Sequence, residues 1–243
     1  LLPGQFFVLA RNSAAFAAKY PGVAMNGVFS GQLDNAGETL RLSTAFGNTV
    51  LSAAYNDRAP WPLAADGHGF SAVPRVSGAN PNSDNGAHWR ASASAGGSPG
   101  ADDPEPTILP VLINEALTHT DLPAVDWIEL FNPNAGPVNI GGWLLSDDAA
   151  APKKFRITDG TTIPAGGYRV FTEADFNANP LLVSSFSLSS MGDSIYLSSA
   201  DANTNLTGYS HGVTFGAAAN GVTFGRYVNS VGEEQFPAQI SPT

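Results

Sequence analysis

The chain contains no cysteine, so no disulfide staples it and no thiolate is available to hold zinc. Charge is scarce. Only 13% of residues are charged, and 11 Lys plus Arg face 21 acids, a formal net charge of −10. A surface this poor in cations argues against nucleic acid, whose binding depends on displacing counterions, and equally against anionic lipid. No apolar run approaches the roughly 20 residues that cross a bilayer. Membrane insertion is therefore not expected. The opening, LLPGQFFVLARN, has no initiator Met, basic stretch or cleavage site. It does not read as a signal peptide, and residue 1 is expected to lie inside a longer gene product. Catalytic signatures are missing too. There is no H-x-x-x-H, H-E-x-x-H or G-x-S-x-G pattern. The glycines at 31–37 and 216–221 match neither a phosphate loop nor a dinucleotide fingerprint.

What is present suits short strands. Gly and Pro number 26 and 18, and 43% of residues are apolar. That mixture favours turns and strands over helical bundles and supplies enough apolar side chains for a core. The stretch Val111–Asp148 is the most informative. Three apolar runs, Val111–Leu117, Trp127–Phe131 and Trp143–Leu145, are separated by Asp121-Leu-Pro123, Asn132-Pro-Asn-Ala-Gly-Pro137 and Gly141-Gly142. In the middle run, Trp127, Glu129 and Phe131 point one way and Ile128 and Leu130 the other, the period of a strand buried on one face. Three sequential strands of a sandwich or barrel are expected.

The segments Leu112-Ile-Asn-Glu115, Asp126-Trp-Ile-Glu-Leu-Phe-Asn132 and Ile140-Gly-Gly-Trp-Leu-Leu-Ser-Asp147 resemble the opening of a bacterial lamin tail domain. Phe155-Arg-Ile157, Thr161–Tyr168 and Gly192-Asp-Ser-Ile-Tyr-Leu197 continue the likeness. The resemblance implies an all-β, immunoglobulin-like β-sandwich, used as an accessory module of larger exported proteins. It implies no reaction.

The chain also resembles itself. Leu1–Ala10 parallels Thr162–Thr172, and Phe29–Leu42 parallels Ser184–Leu197. Gly69–Ala72 parallels Gly221–Phe224, and Gly97–Gly100 parallels Ile240–Thr243. Ordered self-similarity signals a tandem repeat. Residues 1–98 read as the later part of a first lamin-tail-like domain, with no counterpart of Val111–Asp148. Residues 99–107 read as a Pro/acidic linker, extended by Pro99, Pro104 and Pro106 and solvated by Asp102, Asp103 and Glu105. Residues 108–243 read as a second, complete copy. Its further strands are expected at Pro152–Thr158, Tyr168–Phe171, Ile195–Leu197, Thr207–Val213 and Val222–Tyr227. Helical turns are expected at Asn12–Tyr20 and at Thr172–Asn179, the latter capped by Thr172 with Asp175 at the third position.

Candidate sites are few. Asp126 and Glu129 could form an acid/base pair, but residues three apart on a strand face opposite ways. Asp201-x-Asn203-x-Asn205 has the oxygen alternation of a calcium loop without its central Gly or distal Glu, so the simpler reading is a hairpin turn and calcium is the only cofactor considered. Of His68, His88, His119 and His211, His68 is expected to be exposed in its glycine turn. Trp127 and Trp143 belong to apolar strands, whereas Trp61 and Trp89, set among polar residues, are the candidate ligand-binding aromatics. The expected role is non-catalytic: an extracellular or cell-surface module for interaction, adhesion or spacing, with other protein domains or copies of itself as partners. Two alternatives are a fibre subunit assembled by strand exchange and an accessory region of a secreted hydrolase that binds polysaccharide.

Overall fold

The computed structural model describes residues 2–76 and 82–239. Ile240–Thr243, one of the repeat's paired segments, lies outside them. The protein is all-β with two short α-helices.

Residues 108–239 build a two-layer sandwich. One layer has strand order β13-β8-β7-β16, from β7 (Leu112–Leu117), β8 (Trp127–Phe131), β13 (Tyr168–Thr172) and β16 (Thr223–Gly225). The other is β11-β10-β14-β15, from β10 (Leu144–Ser146), β11 (Phe155–Arg156), β14 (Gly192–Ala200) and β15 (Leu206–Gly216). Every pairing within the two layers is antiparallel. Two smaller ladders, β9 (Val138–Asn139) with β12 (Thr162–Ile163) and β17 (Tyr227–Val228) with β18 (Glu234–Gln235), close the ends.

The alternation in β8 holds: Ile128 and Leu130 are fully buried, while Trp127, Glu129 and Phe131 are half-buried. Ile113, Ile128, Leu130 and Phe171 from one layer meet Leu145, Ile195, Leu197 and Val213 from the other in a continuous apolar core. Each fully buried aliphatic side chain of this kind contributes about 1.5–3 kcal/mol. Trp143 joins that core with its ring centroid 5.5 Å from Tyr209, whose hydroxyl donates to Val111 O at 2.7 Å. The chain thus enters as expected, with β7 and β8 neighbours in one layer and β10 crossing to the other.

Boundaries differ where backbone donors are spent outside a ladder. The strand expected over Pro152–Thr158 shrinks to Phe155–Arg156: Pro152 has no N–H to give a ladder, and Ile157 donates to Trp143 O and accepts from Gly142 N at the turn before β10. The strand expected over Val222–Tyr227 splits at Arg226, whose N–H turns to Asn114 O at 2.7 Å. The β14–β15 hairpin outgrows its expected core through a bulge between Ser198 and Ala200. The helix α2 (Glu173–Phe176) carries the capping box foreseen at Thr172 and Asp175.

Residues 2–107 are built differently. They hold α1 (Ser13–Lys19), capped by Asn12 accepting from Ala15 N at 2.9 Å, and three separate two-stranded ladders. These are β1 (Leu9–Ala10) with β2 (Gly27–Val28), β3 (Gly37–Ser43) with β4 (Thr49–Asn56), and β5 (Ala72–Pro74) with β6 (Trp89–Ala91). None of their residues enters the main core. A smaller cluster joins the regions instead: Ala64 and Ala91, with Phe70 beside them, pack on Leu144, Leu206 and Ala200, on the outer surface of the β10–β14–β15 layer. The Leu63 N–H donates to Ser210 Oγ at 3.1 Å across this seam.

The 99–107 segment corrects the solvated-spacer reading at one residue. Asp103 is only 6% exposed and meets Arg90, itself 10% exposed, at 2.5 Å. It also accepts from Ala93 N and Ser98 Oγ, while Arg90 reaches the carbonyls of Asp103 and Pro104. The sequence hid this because a carboxylate between prolines carries no sign of the arginine that folds against it. Among the described residues, no helix is long and apolar enough to cross a membrane.

Candidate functional site

The seam between the regions opens into a cleft of roughly 650 Å³. One wall carries Trp61, Asn85 and His88; the other carries Tyr209, His211 and Glu234. Cis peptides at Ala59-Pro60 and Leu122-Pro123 punctuate the loops, the first beside Trp61.

Trp61 and Trp89 lie together. Their rings stack with centroids 5.6 Å apart and planes 28° apart, and Tyr55 meets Trp61 edge-on. Gly86 allows this packing, since a Cβ there would sit 2.7 Å from the Trp61 ring. Trp89 lies on β6 and donates Nε1–H to Ser83 O at 3.0 Å. Only Trp61 lines the cleft, and Trp89 supports it from behind. Trp127 and Trp143 sit in the sandwich.

The opposite wall is a polar relay that sequence reasoning did not assemble. His211 Nδ1 accepts the Ile113 N–H at 3.0 Å, so its proton is on Nε2, which donates to Glu234 Oε1 at 2.7 Å. The guanidinium of Arg226 bonds the other oxygen of Glu234. Burial alone would push the Glu234 carboxyl up. The His211 N–H and the Arg226 charge outweigh it and hold the group at about 2. Burial also raises the Tyr209 phenol. Glu234 follows the Asn229–Gly232 turn, and no sequence spacing links it to His211; only the sheet register could have done so.

The remaining candidates stay apart. Asp126 accepts from Thr120 Oγ1 at 2.8 Å, and burial raises its carboxyl despite that bond. Glu129 accepts from Asn114 Nδ2 at 2.9 Å, also raised by burial and further by nearby Glu115. The cross-strand neighbour of Glu129 is therefore Glu115, which is buried, and sequence reasoning passed it over as part of an apolar run. Asp201 closes the β14–β15 turn. Its Oδ1 accepts the N–H groups of Asn203 and Asn205, and its Oδ2 accepts Asn205 Nδ2. These hydrogen bonds lower its carboxyl. Both oxygens are thus engaged by the turn itself. His68, expected to be exposed, is half-buried; His88 Nδ1 faces Asn82 O and His119 Nδ1 faces Ala218 O. Among the described residues, no three His, Asp or Glu side chains come together as a metal site.

Two facing antiparallel layers with an aliphatic interior define an immunoglobulin-like β-sandwich module, here with a second β region docked on one layer. Residues 104–212 match the family model described as Lamin Tail Domain. That stretch runs from the end of the Pro/acidic segment to the middle of β15 and stops short of β16. No curated protein and no solved structure matches the chain.

Proposed function

We propose that this chain is a non-catalytic module of a larger exported bacterial protein, acting outside the cell or on its surface in interaction or spacing. The lamin-tail match over residues 104–212 carries this reading. Its support is chemical as well. The core cluster between the two layers is apolar, and Asp126, Glu129 and Asp201 are each held by separate local partners. A paired acid/base mechanism needs two groups converging on one reacting atom, and Asp126, Glu129 and Asp201 do not converge. Self-similarity between residues 1–98 and the later part of 108–243 supports reading the chain as one partial and one complete copy of the module.

The test is an activity screen of the purified chain against ester, glycoside and phosphodiester substrates, together with antibody labelling of intact source cells. No turnover and surface labelling are expected. Turnover abolished by Asp126→Ala or Glu129→Ala would overturn the non-catalytic reading. A polysaccharide-binding role is favoured by one observation, the Trp61 face in a cleft with polar groups on its far wall. Oligosaccharide titration followed by tryptophan fluorescence, lost in Trp61→Ala, would establish it.

A further inference from the structure

The β3–β4 and β14–β15 hairpins share one design. Each starts at a glycine with positive φ, +118° at Gly37 and +114° at Gly192, followed by an acid, Glu38 or Asp193. A Cβ at Gly37 would fall 2.4 Å from Tyr55 O, and one at Gly192 would fall 3.0 Å from Phe215 O. The registers correspond step by step. Leu40 pairs with Ala53 as Ile195 pairs with Val213, and Leu42 pairs with Leu51 as Leu197 pairs with His211.

Their surroundings are opposite. Ile195 and Leu197 are 0% exposed, whereas Leu40, Leu42 and Leu51 are 43%, 52% and 55% exposed. The three leucines share one face, because alternate residues and their cross-strand partners project together. In the sandwich, that face of β14–β15 is covered by the β7–β8–β13 layer, and the outer edge of β14 is paired by β10. The outer edge of β3 pairs with no strand among the described residues. The outer edge of β4 is already capped, with Ala54 N–H donating to Asp84 Oδ1 at 2.7 Å and Ser83 Oγ bonding Ser52 O. One apolar face and one strand edge therefore stand open together.

We propose that this face docks a β-strand set of the 111–148 kind: one strand to extend the β3 edge and an aliphatic layer to cover Leu40, Leu42 and Leu51. The proposal rests on the partial-copy reading above and names the partner of that copy. Exchange between copies of this chain does not supply the cover. Each chain carries one such strand set for two hairpins that need it, and its own β14–β15 uses it. The occupant named here is polypeptide outside residues 1–243. It arrives ahead of β1 in chain order, as β7–β10 arrive ahead of β12 and β13.

The test is an extended chain in which a second copy of residues 108–161 is joined directly ahead of Leu1, so that residues 162 and 1 follow the same junction. Amide hydrogen exchange is read at Thr39 and Arg41, whose N–H groups face the open β3 edge because their partners Ala54 and Ser52 face outward, alongside sedimentation. In the chain without the extension these amides exchange freely. The extension is expected to slow them by at least about a hundredfold while the protein stays monomeric. Leu40→Glu with Leu42→Glu should abolish that gain and leave protection at Ile195 and Leu197 intact. Unchanged exchange in the extended chain, with Ile195 still protected, would overturn the proposal. So would protection of Thr39 and Arg41 in the monomeric original chain. Concentration-dependent dimers that protect these two amides would give the face to a second copy instead. None of these outcomes depends on whether the module has enzymatic activity.

Discussion

The β14–β15 and β3–β4 hairpins contain nearly the same pattern and contribute very differently to the protein. A glycine-acid start, alternating aliphatics and matched register are enough to make a hairpin. They are not enough to bury it. What separates the two is the layer opposite, which β7, β8 and β13 provide for one and no described strand provides for the other. Local pattern writes the strand, and a distant segment decides whether its apolar face becomes a core.

That contrast can be broken most sharply at equivalent positions. Ile195→Glu places a carboxylate in a fully buried site and should unfold residues 108–239, at a cost of about 4 kcal/mol or more. Leu40→Glu should change stability by no more than about 0.5 kcal/mol. Chemical denaturation followed by tryptophan fluorescence measures both, and similar losses would mean that the hairpins are equally covered. A smaller effect is expected at the Arg90–Asp103 pair. Asp103→Ala leaves a buried guanidinium without its acid and should cost about 3 kcal/mol, falling on the transition of residues 2–107.

Glu234 tests the seam through pH. Its carboxyl is held at about 2 in the folded protein, against an ordinary value of 4.5. Its contribution is therefore complete above about pH 4.5 and is lost as pH falls toward 2. Glu234→Gln should destabilise the protein by about 1–2 kcal/mol at pH 7, since the group is partly solvated, with the difference from the parent vanishing near pH 2. A pH-independent difference would detach the effect from the His211–Glu234–Arg226 relay. The smallest effect belongs to Asp201. Asp201→Asn should lower the melting midpoint slightly, and millimolar calcium should leave the parent's midpoint unchanged; a calcium-dependent rise would restore the ion-loop reading.

The sandwich was legible because strands buried on one face must alternate. Trp127–Phe131 declared its period, and the breaks at Asp121-Leu-Pro123 and Gly141-Gly142 declared its turns. The capping box at Thr172 and Asp175 was equally readable, because its partners are three residues apart. Features built from remote contacts were not. Asp103 looked solvated until Arg90 closed on it. His211 and Glu234 lie on different ladders, and Glu115 meets Glu129 only through a bulged register. Trp61 and Trp89 looked like separate surface aromatics, and only folding stacks one on the other.

The docking of Ala64 and Ala91 on Leu144 and Leu206 covers apolar side chains on the outer surface of the sandwich. A recombinant piece trimmed to residues 104–212 would bare those two leucines to water and also forfeit β16, leaving the margin of β7 unzipped. The length that a family pattern recognises is thus shorter than the sandwich itself, which runs on through β16. Boundaries for expression or crystallisation are better drawn around the seam than around the match.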